Sequence, residues 1–263
     1  MKMAPMTART AVSQFSPVSS DRLARQDGRP QRTQPLMRRY EVAHLSPNGD
    51  IDDFSRIAPA LPVFEDAFSA FARGTLIQTA KGPVAIEDLL PGDMIHTVDN
   101  GFQTLKWKGS MMMIPNAEGL PVDRQQLTRI GADSFGFAKP HQDIILGPAA
   151  RKFHQTAFVR EITGRDGAFV PASDFVDGGS TVHIRPVSPV QVFHLGLIRQ
   201  ERILANGMEF ESYHPGPNMR FDLRGEMLNL FLSMFPHIAE LSDYGLMTHP
   251  RLRLQDMDMR DSA

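Results

Sequence analysis

The amino-acid sequence predicts a mainly β fold. Short apolar runs alternate with polar residues, turn-forming dipeptides separate them at regular spacing, and 263 residues include 20 Gly and 20 Pro. That punctuation suits a turn-rich β architecture. Hydrophobic residues make up 41% of the chain, enough for a real core, and the length fits one sizeable domain with extensions or two small ones. The formal net charge is −2, so nothing global points to nucleic acid or an acidic substrate. The absence of cysteine excludes disulfides, thiolate metal sites and a cysteine nucleophile. No apolar run approaches the roughly 20 residues a bilayer span needs, and the N-terminus lacks the apolar stretch of a secretory signal. A soluble, cytoplasmic protein with no membrane partner is the expectation.

Residues 1–39 carry eight Lys/Arg against only Asp21 and Asp27, among many Ser, Gln, Thr and Pro. Such a mixture cannot bury enough apolar surface to offset its ordering entropy, and we expect a disordered basic tail. Residues 40–65 read as a short strand and linker: 40–45 alternates, and Pro47-Asn48-Gly49-Asp50 is a turn. Within 66–216, strands are expected at 75–79, 84–86, 94–98 and 102–109. They are separated by Lys81-Gly82-Pro83, Pro91-Gly92-Asp93 and Asp99-Asn100-Gly101. Further strands are expected at 127–131, 143–146, 181–186, 190–198, 201–205 and 208–212, the last two joined by Ala205-Asn206-Gly207. Trp107 reads as a core anchor. Met111, Met112 and Met113 read as a core edge strand, with an adaptable contact surface as the alternative. Over 217–263 the period changes: Met227, Leu228, Leu230, Phe231, Met234 and Phe235 form a helical stripe that Pro236 breaks or restarts. Helices packed on the β core, or partly on a protein partner, are expected there.

The stretch "GTLIQTAKGPVAIEDLLPGDMIHTVDNGFQTLKWKG", residues 74–109, resembles the N-terminal half of a Hint (Hedgehog/intein) module, in particular the stand-alone bacterial subgroup. "VQVFHLGLIRQERILANGMEFESYHPG", residues 190–216, resembles its closing strands. "DIILGPAAR", residues 143–151, sits where the family has a strand followed by Ser-Pro-x-His-Arg. Together these blocks cover roughly residues 66–216. The resemblance implies the horseshoe-like all-β Hint fold, with both ends of the module meeting at one catalytic centre.

It also implies a chemistry that these residues do not supply. In the family a first-position Cys attacks the preceding carbonyl, a proton donor serves the departing amide nitrogen, and a second histidine usually assists. The first position matches Ala70, the histidine after the 143–146 strand matches Ala150, and the late histidine falls at Gln200, or at Glu201 with the gap counted as in inteins. The terminal Asn of full inteins falls near Ser212. Losing one member of such a unit costs several powers of ten in rate, so a non-processing binding or structural module is the first reading. Ser69 offers an alternative, residual autoproteolysis by an N–O acyl shift near Ser69-Ala70. A second alternative is a small ligand or hydrolase site rebuilt in the old cleft around His141, His154 or His194, the last lying where inteins usually carry an aspartate. Thr75 reads as structural. No His pair has metal-site spacing and no Gly-rich loop opens a helix, so neither a metal nor a cofactor is expected.

Overall fold

The computed structural model describes residues 36–117, 120–217, 219 and 223–258. All of these lie in one compact unit. Residues 1–35 of the expected basic tail lie outside the described residues. The strands run in chain order β1 Met37–Leu45, β2 Ile51–Pro59, β3 Phe71–Ala72, β4 Leu76–Thr79, β5 Gly82–Ala85, β6 Met94–Thr97, β7 Gly101–Thr104 and β8 Trp107–Met113. They continue as β9 Leu127–Ile130, β10 Ile144–Leu146, β11 Arg151–His154, β12 Ala168–Pro171, β13 Thr181–Ile184, β14 Val190–Gly196, β15 Arg202–Ala205 and β16 Met208–Glu211. One eight-stranded sheet has the order β13-β9-β10-β3-β14-β8-β1-β2. The other has β12-β11-β16-β15-β4-β6-β7, with β5 attached to β4.

Residues 37–39 belong to β1, so the tail boundary at 39 is too late. Within 40–65 the expected strand at 40–45 lies in β1 and the turn follows it, but a second strand stands where a linker was expected. β1 and β2 form a nine-residue antiparallel hairpin, and β1 pairs with β8 from Tyr40↔Met111 to His44↔Trp107. β2 escaped the sequence reading because Asp52, Asp53 and Arg56 interrupt any apolar alternation, as an exposed outer strand allows. The strands at 151–154 and 168–171 and the helix Ala157–Thr163 were likewise unforeseen. That helix is capped by Thr156, whose hydroxyl accepts from Val159 N–H at 3.1 Å, and ends at Gly164 with φ +66°. Met111, Met112 and Met113 lie in a central strand between β14 and β1, not at an edge. The Asn206-Gly207 turn does close the β15–β16 hairpin, with φ of +46° and +81°, the pair of positive angles a two-residue primed turn requires.

The first sheet has an apolar cluster on each face, because successive side chains of a strand point to opposite sides. Phe193 and Leu195 of β14 join Phe71, Leu146, Ile203 and Phe210 in one cluster. Val192 joins Tyr40, Phe68, Trp107, Phe231 and Phe235 in the other. The helical stripe of the C-terminal segment is thereby largely buried inside the molecule. Helix Gly225–Leu232 delivers Phe231, and the turn after it delivers Met234 and Phe235. Phe235 stacks on Trp107 at 4.8 Å between ring centroids, and Trp107 Nε1–H donates to Met234 O at 2.7 Å. Between and beyond the helical turns of this segment, an extended stretch brings Arg251 alongside Phe169 of β12.

Candidate functional site

Ser69 and Ala70 join the short helix Pro62–Glu65 to β3, and the peptide between them is hydrogen-bonded at both ends. Ala70 N–H donates to Phe193 O at 2.9 Å, and Ser69 O accepts from Ala149 N–H at 3.1 Å. Ala70 O accepts from Gly147 N–H at 2.8 Å. Only glycine fits at 147, since a Cβ there would lie 2.1 Å from Ser69 O. The methyl of Ala70 and the hydroxyl of Ser69 are both buried, and Ser69 Oγ has no hydrogen-bond partner. An alcohol without a base in hydrogen-bond reach is a poor nucleophile at neutral pH.

The chain just upstream is equally fixed. Phe68 is fully buried, 4.7 Å from the Tyr40 ring and 5.2 Å from Trp107. Beside it runs a cleft of about 430 Å³. His194 reaches this cleft from β14. Its Nδ1 lies 3.1 Å from Asp66 O, and a carbonyl acceptor fixes Nδ1 as the protonated nitrogen. Burial pushes the His194 pKa down to about 3, against the opposing pull of that carbonyl. The ring is therefore neutral near neutral pH and weakly basic.

Arginines dominate the charge around His194. Glu211, at the end of β16, is buried and accepts from Arg251 Nε at 2.9 and 3.0 Å. It also accepts from Gln200 Nε2. Arg251 Nη2 donates to His214 O at 2.5 Å. Asp66 is paired with Arg124. Arg151 has no such close carboxylate: its Nη1 stands 3.9 Å from Glu211 and 3.4 Å from Ala149 O. Burial, and next the like charge of Arg251, lower its pKa. The charges that act most on Arg151 are those of Arg251, Glu211, Asp66 and Arg124. The walls are apolar, from Leu61, Val63 and Met219, with Tyr213 beside His194 at 5.2 Å between rings.

Ser69, Ala70, Ala150 and His194 do converge here, since Ala70 bonds to Phe193 and Ser69 to Ala149. Gln200 connects to the same centre through Glu211, while its own Oε1 accepts from Thr248 Oγ1 and His249 N–H, each at 3.1 Å. His141 lies elsewhere: its side chain is exposed and its N–H donates to Asn206 O at 3.0 Å, against the β15–β16 turn. His154 is half-buried, edge-on to Phe175 at 5.3 Å. Thr75 Oγ1 donates to Ala72 O at 2.8 Å, a structural bond. Glu201 is held by Asn100 Nδ2 at 2.8 and 3.0 Å, and Ser212 Oγ accepts from Glu201 N–H at 2.9 Å. Among the described residues, no three His, Asp or Glu side chains are grouped to hold a metal ion, and no helix is long and apolar enough to cross a membrane.

The sequence reading missed Asp66, Arg151, Glu211 and Arg251. Arg151 and Glu211 lie inside the stretches that carry the family resemblance, but a single charged residue beside a strand carries no local sign of a cleft. Arg251 gave no signal, because it reaches the cleft only through pairing with Phe169.

Comparison with known proteins agrees with the resemblance. The family model described as "Hint domain" matches residues 69–217. A solution structure of a bacterial intein-like domain from Clostridium thermocellum is similar at 15% identity, covering 55% of this chain and 99% of that one with a TM-score of 0.39. A splice-inactive, GSH-linked variant of the AceL NrdHF class 3 split intein is similar at 12% identity, covering 55% and 97% respectively with a TM-score of 0.37. No curated protein matches the chain.

Proposed function

The chain belongs to the Hint-domain family, and on that premise we propose that it is a non-processing member, a folded binding or structural module that leaves its own backbone intact. The supporting observation is the junction at Ser69-Ala70. A buried methyl occupies the attacking position, the Ser69 hydroxyl has no base in hydrogen-bond reach, and the peptide is tied to β14 on one side and to the turn after β10 on the other. Moreover, the upstream hairpin is two strands of that sheet, so hydrolysis there would release no separate upstream product. Purified protein incubated with thiol or hydroxylamine should keep its full-length mass. Ala70→Cys alone should cleave little, because Ala150 and Gln200 still stand where the assisting histidines belong. Spontaneous appearance of a chain beginning at residue 69 or 70, and its loss in Ser69→Ala, would establish the N–O acyl shift instead.

The placement of Arg151 favours a second reading, in which the cleft binds a small anion. A partly buried cation without a close counter-charge is costly, and Arg151, 22% exposed into an apolar-walled cleft, offers free donors to a carboxylate. Hexanoate or benzoate should raise the melting temperature of the wild type but not of Arg151→Gln. Equal responses from both proteins would discard this reading.

A further inference from the structure

Among the described residues β2 ends its sheet with no strand on its outer side, and that edge carries a self-complementary sequence. We propose that the chain pairs with a second copy of itself along β2, antiparallel and in a register centred on Phe54.

The backbone satisfies the first requirement. Leu45 N–H donates to Lys106 O on the β8 side, so the odd-numbered residues of β1 face β8 and the even-numbered ones face β2. Antiparallel alternation then turns residues 52, 54 and 56 of β2 toward β1, and leaves the N–H and C=O groups of Ile51, Asp53, Ser55 and Ile57 pointing outward. A two-fold axis at Phe54 sets Ile51 opposite Ile57 and Asp53 opposite Ser55. All four residues lie in hydrogen-bonded positions, giving about eight new ladder bonds.

The side chains satisfy the second. In this register Asp52 of each copy faces Arg56 of the other, twice over, and the two Phe54 rings meet between those ion pairs. On the opposite face, Ile51 and Ile57, 46% and 66% exposed, cover each other. Neighbouring registers lose this match. Centring on Asp53 sets that carboxylate against itself, and centring on Ser55 leaves Asp52 opposite Ala58. The strand is also long for an unprotected edge, nine residues with only Ala58 and Pro59 buried. An interface of strand edges alone is small, so the expected dimer is reversible and concentration-dependent. The contact involves neither the cleft nor the junction and is independent of the function proposed above.

Sedimentation velocity on the full chain, over a hundredfold range of concentration, tests it. The wild type should shift from monomer to dimer. Arg56→Asp and Asp52→Arg should each weaken association at least tenfold, since each turns both ion pairs into like-charge pairs. Mixing these two variants should restore a heterodimer, because every carboxylate then faces a guanidinium. Ser55→Pro removes an outward N–H without touching the β1–β2 ladder and should give a folded monomer. A wild type that stays monomeric throughout, or a dimer that persists unchanged in all three variants, overturns the proposal. A monomeric wild type that Ser55→Pro destabilises does so too, and assigns the edge to another segment of the same chain.

Discussion

The two apolar clusters that share the first sheet differ in where their residues come from. The cluster around Phe71, Leu146, Ile203 and Phe210 is drawn from residues 70–210, all inside the span of the Hint match. The cluster around Phe68, Trp107 and Phe235 takes Tyr40, Phe64 and Phe68 from before that span and Met219, Phe231, Phe235 and Tyr244 from beyond it. A family domain thus supplies one core alone, and flanking segments build a second on its other face. The cleft lies on the second side, with Leu61 and Val63 from one flank and Met219 and Arg251 from the other. Segments outside the family match are thus part of the fold and of the candidate site.

The sharpest way to break this comparison is to remove one aromatic from the second cluster. Phe68→Ala or Phe235→Ala should cost about 3–5 kcal/mol, read as a lowered midpoint in urea with one transition followed by both far-UV circular dichroism and fluorescence. Two separate transitions would mean that the clusters unfold independently and that the flanks are an appended layer. Arg251→Ala comes next, at about 3 kcal/mol, because it leaves Glu211 buried with only Gln200 and a distant Arg151. Loss of well under 1 kcal/mol would show that the extended stretch around Arg251 contributes little to the cleft.

A pH titration sharpens the contrast further. His194 titrates at about 3 in the folded protein against an ordinary 6.5, and His237, also buried, at about 4. As pH falls below 6.5 the unfolded chain takes up protons that the folded one refuses, so stability declines with falling pH. Each such histidine contributes a loss on the order of 2 kcal/mol by pH 5, opposed in part by Glu65 and Glu201, whose carboxyls burial holds above their usual range. The melting temperature should fall across this window, and His194→Gln should flatten the slope. An unchanged slope would assign the dependence to other groups. The smallest effect belongs to the first cluster, where Ile203→Val should cost about 1 kcal/mol with cooperativity intact.

How much of this was legible in the sequence follows from where each signal resides. Pro91-Gly92-Asp93 and Asn206-Gly207 fix backbone reversals locally, so the strands they bound were readable. β2 was not, because an edge strand exposed on both faces needs no alternation and Asp52, Asp53 and Arg56 sit comfortably there. The 217–263 segment showed its helical period but not its destination, since burial of Phe231 and Phe235 depends on Trp107, far away in sequence. At the site, Ala70, Ala150 and Gln200 could be read as the residues standing at the positions that the resemblance assigns to reactive groups. The arginines beside those positions could not be read so, because a charge balance is a property of neighbours in space.

The chain has one tryptophan, and its indole proton is given to Met234 O. That single bond makes Trp107 an optical probe of the seam between domain and flank. While the C-terminal segment is seated, the indole sits dry against Phe235 and emission should be blue. Once the segment lifts, water replaces the carbonyl and the band moves red, so a partner or mutation that peels it away can be followed by eye of the fluorimeter without any added dye.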